Sequence, residues 1–162
     1  MIFDRRCHRQ IGGGFYADVF AVEDRAYKLF KNGPEVPPRQ TTEGRRRIFE
    51  RQCEAFRTAA AHSSLRNHVA QFVGIINVAD VIDGDGLSVG TGYLLDCCYA
   101  IELFGPGHTE AKATAPDVRW LEHIDTALQQ FRQLGINALD SSVFDYADSQ
   151  RFKFIDIEMM DR

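Results

Sequence analysis

Apolar periodicity switches back and forth between two and 3.6 residues along this 162-residue chain. The order of those switches constrains the fold more than any single motif does. From Ile11 to Phe30 apolar residues alternate imperfectly around a turn-like Glu23-Asp24-Arg25, which predicts two or three short antiparallel strands. Pro34, Pro37 and Pro38 make Lys31 to Gln40 a loop. Phe49, Cys53, Phe56 and Ala60 then recur at helical spacing, so a helix is expected from about Thr42 to Ala61 with that stripe buried. Val69 to Val78 and Gly92 to Cys98 read as paired strands around a turn at Asp83-Gly84-Asp85-Gly86. Gly105 to Pro116 reads as a loop or connector. A second helix is expected from about Pro116 to Leu134. Trp120, Ile124, Leu128 and Phe131 are its stripe, Thr114 and Asp117 resemble a capping box, and Gly135 is its stop. Val143, Phe144 and Tyr146, then a polar turn at Ala147 to Gln150, then Phe152, Phe154, Ile155 and Ile157 form a terminal hairpin. Strands, helix, strands, helix, hairpin is an α+β order.

A 44% hydrophobic and 26% charged composition suits an ordinary globular domain, and a net charge of −4 gives no electrostatic reason to expect nucleic acid. Arg45-Arg46-Arg47 reads as a solvated helix start. No apolar run approaches the ~20 residues of a membrane span, and Met1 to Gln10 lacks the apolar stretch of a secretory signal. Cys7, Cys53, Cys97 and Cys98 include no CxxC pair, so a reducing, cytoplasmic compartment is expected. Cys7-His8 has no second pair at metal-ligand spacing.

Chemistry concentrates first at Ile11-Gly12-Gly13-Gly14-Phe15-Tyr16-Ala17-Asp18-Val19. Glycines let a backbone approach phosphate oxygens and aim N–H groups at them. Gly12, Gly14 and Ala17 fit G-x-G-x-x-[GA], with Val19 two residues on, although a plain hairpin turn explains a glycine triplet equally well. No helix follows, which argues against a dinucleotide fold or a Walker loop. Lys28, in Ala26-Tyr27-Lys28-Leu29-Phe30, falls on the strand face of Ala26 and Phe30. It is either a strand-edge lysine in water or a phosphate-binding cation that needs a carboxylate partner. Glu54 is the best partner, with Glu50 and Glu43 as rivals. A solvent-facing glutamate is the commoner case on a helix.

With these residues the chain resembles the protein-kinase-like fold. There a glycine-rich hairpin covers the nucleotide, a strand lysine contacts phosphates and a helix glutamate holds the lysine. The resemblance continues through Gly135-Ile136-Asn137-Ala138-Leu139-Asp140-Ser141-Ser142-Val143-Phe144-Asp145. Asp140 falls on the catalytic aspartate and Asp145 on the metal-binding asparagine. Phe154-Ile155-Asp156-Ile157-Glu158 puts Asp156 on the D-F-G aspartate. Tyr93-Leu94-Leu95-Asp96-Cys97-Cys98 resembles the last N-lobe strand and hinge, where backbone groups of Asp96 and Cys98 would hold adenine. The sequence departs from the family at Ala138 and Leu139 (for His and Arg), at Asp145 and at Glu158 (for the D-F-G glycine).

The resemblance implies one minimal kinase-like domain: an antiparallel N-lobe sheet with one helix over about residues 1–98, and a much reduced helical C-lobe over 99–162. It implies an ATP- and Mg²⁺-dependent phosphotransferase. Asp140 would be its base, Lys28 and Glu54 its phosphate clamp, and Asp145 and Asp156 its metal ligands. Gly12, Gly13, Gly14, Ala17, Val19, Asp96 and Cys98 would line the nucleotide. The acceptor would be a hydroxyl on a protein or small molecule. With the sequence ending at Arg162 there is no space for an activation segment, and a protein partner completing the C-lobe is expected. Compact bacterial kinases, including secreted effectors acting in a host cytosol, are of similar size. The alternatives are a pseudokinase that binds without catalysis and, more remotely, an inhibitor or immunity-type protein on the same scaffold.

Overall fold

The computed structural model describes residues 1–33, 41–104, 108–112, 121–139, 141–145 and 152–161; for 108–112, 121 and 141–145 only the backbone is described. The chain is mixed α/β, mostly antiparallel in its sheets, with two helices among the described residues. It forms two compact units: Met1–Glu50 with Val73–Leu103, and Arg51–Phe72 with Phe104–Arg162.

The first unit is built on five strands. These are β2 (Arg9–Gly13), β3 (Ala17–Val22), β4 (Arg25–Lys31), β5 (Phe72–Ile76) and β7 (Tyr93–Glu102), in the order β2-β3-β4-β7-β5. The alternation seen from Ile11 to Phe30 does produce a meander, with β3 antiparallel to both β2 and β4. Phe20, Tyr27, Leu29, Cys98 and Ala100 cover one sheet face and pack with Phe3, Val78, Val81 and Tyr93. Each large apolar side chain buried there contributes about 1.5–3 kcal/mol. On the opposite face Phe30 and Tyr99 meet Phe49 from helix α1 (Thr42–Ala61), with ring centroids 5.7 and 6.3 Å from that of Phe49.

Three features of this unit depart from expectation. The polar N-terminus contains β1 (Ile2–Asp4), parallel to β6 (Asp80–Ile82). A single apolar residue, Phe3, anchors it in the core with no exposed surface. Strand β7 runs four residues past Cys98, to Glu102, and the second stretch of this unit extends to Leu103. Finally, Arg45 is not a solvated residue; it is 4% exposed and donates from Nη1 to the Lys31 carbonyl at 2.9 Å. It lies where a side chain at position 33 would reach, so Gly33 makes room for the guanidinium.

In the second unit, residues 51–61 of α1 bury Cys53, Ala55, Phe56 and Ala59, and Phe56 stacks on Phe72. Ala60, expected in the stripe, is exposed and Ala59 takes its place. Helix α2 (Leu121–Gln133) buries Ile124, Ala127 and Phe131. Gly135 ends that helical run at φ +71°, a left-handed value that glycine adopts without a Cβ penalty. Trp120, Thr114 and Asp117 lie outside the described residues. Strand β10 (Ser141–Asp145) pairs antiparallel with β11 (Phe152–Phe154), as the expected hairpin requires. It pairs on its other side with β8 (His108–Lys112), in a stretch read as a loop. His108-Thr109-Glu110-Ala111-Lys112 has no apolar alternation, and sheet pairing there draws on backbone groups that composition does not report. Strands β9 (Ile136–Ala138) and β12 (Ile157–Met159) form a separate antiparallel pair.

Candidate functional site

The glycine turn joins β2 to β3. Gly12 lies opposite Val19 and Gly13 opposite Asp18, and the Gly14 N–H donates to the Ala17 carbonyl at 2.9 Å. Around Gly14 there is open space. Ala17 is buried and Val19 half-buried.

What occupies the turn from one side is a carboxylate that sequence reasoning passed over. Asp18 is 4% exposed. It accepts the Tyr93 hydroxyl at 2.7 Å, lies 3.1 Å from Lys31 Nζ and 3.4 Å from Arg5 Nη2. Lys31 also donates to the Gly14 carbonyl at 2.8 Å, and Arg5 donates to the Tyr93 oxygen. Burial, and then the Asp18 hydrogen bond, push the Tyr93 phenol up to about 12. A Cβ on Gly13 would lie 2.8 Å from Asp18 Oδ1 and 2.9 Å from Gln10 Nε2. Gly13 therefore serves an internal carboxylate as well as the turn. The signal was present in the sequence: alternation sets Asp18 on the side of Phe20, whose burial is complete.

Lys28 is half-buried at the centre of the sheet, opposite Val19 on one side and Tyr99 on the other. Its Nζ lies 5.8 Å from the Phe30 ring centroid, so it does share the Phe30 face. Asp96 and Cys98 were expected at a hinge. Both lie within β7 rather than beyond its end, and Cys98 pairs with Leu29 inside the sheet. The Asp96 carboxylate takes a bidentate contact from Arg46 at 2.6 and 2.9 Å, which lowers its pKa and raises that of Arg46. Cys98 is buried, and burial pushes the neighbouring Cys97 thiol up to about 11.

In the second unit Glu54 lies on the exposed side of α1. Asp156 is half-buried between β11 and β12, and its carbonyl accepts the Leu139 N–H at 2.8 Å. Asp140 itself lies outside the described residues. Asp145 closes β10 opposite His108, and its side chain is likewise outside the description. Among the described residues no group of three or more His, Cys, Asp or Glu side chains gathers as a metal cluster. The oxygen donor that remains, Asp156, is of the hard type that suits Mg²⁺.

No family model matches this chain, and no curated protein or solved structure is significantly similar to it. Among the described residues no helix is long and apolar enough to cross a membrane.

Proposed function

We propose that this protein is an ATP-dependent phosphotransferase on a minimal protein-kinase-like scaffold, transferring phosphate from Mg-ATP to a hydroxyl on a protein or small molecule. The observation that carries the reading is the backbone pairing of the tail. Strand β9 pairs with β12, and the Leu139 N–H donates to the Asp156 carbonyl across a sequence gap that contains the paired β10 and β11. Phosphoryl transfer needs positioned charge more than covalent chemistry, and the backbone pairing on either side of Asp156 gives that carboxylate a defined place in the chain. The antiparallel sheet with its glycine hairpin, the central strand carrying Lys28 and the α1 connection after it add support.

In this reading Lys28 would contact phosphates, Gly12 to Gly14 would lie over the nucleotide, and Asp156 with Asp145 would hold Mg²⁺. That ion, when bound, neutralises charge on the phosphates. Asp140 orients the acceptor hydroxyl and takes its proton.

The second reading is a pseudokinase or nucleotide-binding module. The seating of Asp18 against Gly13 favours it, because that side of the turn is taken up by an internal network of Asp18, Arg5, Lys31 and Tyr93.

Thermal melting with Mg-ATP tests nucleotide use: about 2.7 kcal/mol of stabilisation is expected at ~100 times Kd. Lys28→Ala should remove the shift, and no shift in the wild type ends both readings. Labelled ATP then separates them. Phosphate incorporated by the wild type, and reduced roughly 10²–10⁴-fold in Asp140→Ala, supports the enzyme. A melting shift without incorporation into the protein or lysate substrates supports the pseudokinase.

A further inference from the structure

Arg51 projects from α1 and pairs through Nη2 with Glu158 of β12 and through Nη1 with Asp161. The Arg51 and Glu158 side chains are mostly buried, at 23% and 17% exposure, and the Arg51 Nε is buried with no hydrogen-bond partner. A guanidinium desolvated this far on a helix is costly unless its carboxylates are fixed. Glu158 stands two residues after Asp156, and Glu54 stands three residues after Arg51, on the neighbouring position of the same helix side. All four residues belong to one compact unit.

We infer that Arg51 and Glu158 are positioning residues: their ion pair holds β12 against α1 and so fixes the backbone at Asp156, where the Leu139 N–H is bound. This rests on the phosphotransferase reading and deepens it by naming what orients the metal-binding aspartate. In that reading Glu158 stands in place of a flexible glycine. The ion pair then supplies a fixed Asp156 where a glycine would permit a mobile one.

The test uses the full chain, with Arg51→Gln, Glu158→Gln and, in an Asp161→Asn background that removes the second carboxylate beside position 51, the exchange Arg51→Glu/Glu158→Arg. Amide hydrogen exchange at Leu139 reads the backbone without any ligand. Each single variant should exchange about tenfold faster there, and the exchange variant should regain protection. Calorimetric titration with ATP, in Mg²⁺ and in EDTA, reads the site. The single variants should lose about tenfold of the Mg²⁺-dependent part of the affinity and keep the metal-free part. Unchanged Leu139 exchange in both single variants overturns the inference. So does equal loss of affinity with and without Mg²⁺, which would mark a general structural role. A wild-type protein that binds no Mg-ATP overturns the phosphotransferase reading itself. That failure is visible before any variant is made, and it removes the inference with it.

Discussion

At the residue scale, Asp18 carries the largest predicted effect. Asp18→Asn keeps the shape but removes the charge that Arg5 and Lys31 share. Losing one partner of a buried ion pair costs about 3–5 kcal/mol, and with both cations 34% exposed to solvent screening we expect about 2–3 kcal/mol by denaturant melting. Tyr93 supplies a pH signature. Its phenol ordinarily titrates at 10.0 and is raised to about 12 in the fold. The folded state thus keeps a proton that the unfolded chain releases first. The stability this contributes is complete below pH 10 and is lost as pH rises towards 12. Tyr93→Phe should flatten that part of the stability profile, and phenolate absorbance should show one fewer late-titrating tyrosine. An unchanged profile would mean that burial and Asp18 do not raise this phenol in the fold. None of this network was named from sequence. Its partners are separated by as many as 88 residues, and alternation reports which side a residue faces but not what meets it there.

At the element scale, two left-handed residues give opposite expectations. Gly135 stops α2 at φ +71°, and a Cβ there meets nothing closer than 3.9 Å, so Gly135→Ala tests backbone strain alone. Glu23 turns the chain between β3 and β4 at φ 54° with a side chain, so Glu23→Gly relieves strain. Each change should be about 1 kcal/mol, destabilising at 135 and stabilising at 23, read as melting shifts of opposite sign. The same contrast explains what was legible. The meander, both helices, the Gly135 stop and the β10–β11 hairpin follow from period and turn residues, which are local. Strands β1 and β8 were missed because their pairing uses backbone groups whatever their side chains are. The end of β7 was expected too early because an alternation-breaking Asp96-Cys97-Cys98 looks like a strand end. There the register shifts between Leu29 and Lys31 and the strand continues to Glu102.

At the scale of the whole molecule, each unit is assembled from separate stretches of chain, 1–50 with 73–103 and 51–72 with 104–162. A fragment cut at the boundary expected from sequence, 1–98, loses Tyr99 to Glu102. Those residues pair with Lys28, Tyr27, Ala26 and Arg25 in the sheet centre. The fragment 1–103 retains them. We expect 1–103 to show dispersed amide NMR signals for residues 1–50 and 73–103 and 1–98 to show those signals collapsed. Equal dispersion in the two would show that the end of β7 is dispensable. Of the proposed chemistry, the order of charged residues was legible in sequence. The strand pairing beside Asp156 was not, because β9 and β12 are only three residues each and neither has a pattern of its own. The short gap between Gly13 and the acid facing it also has an evolutionary consequence. Drift at either position is conditional on the other: a bulkier residue at 13 becomes acceptable only after 18 has shrunk or turned away. Joint randomisation of these two codons should therefore return correlated survivors, with single replacements at 13 rarely among them.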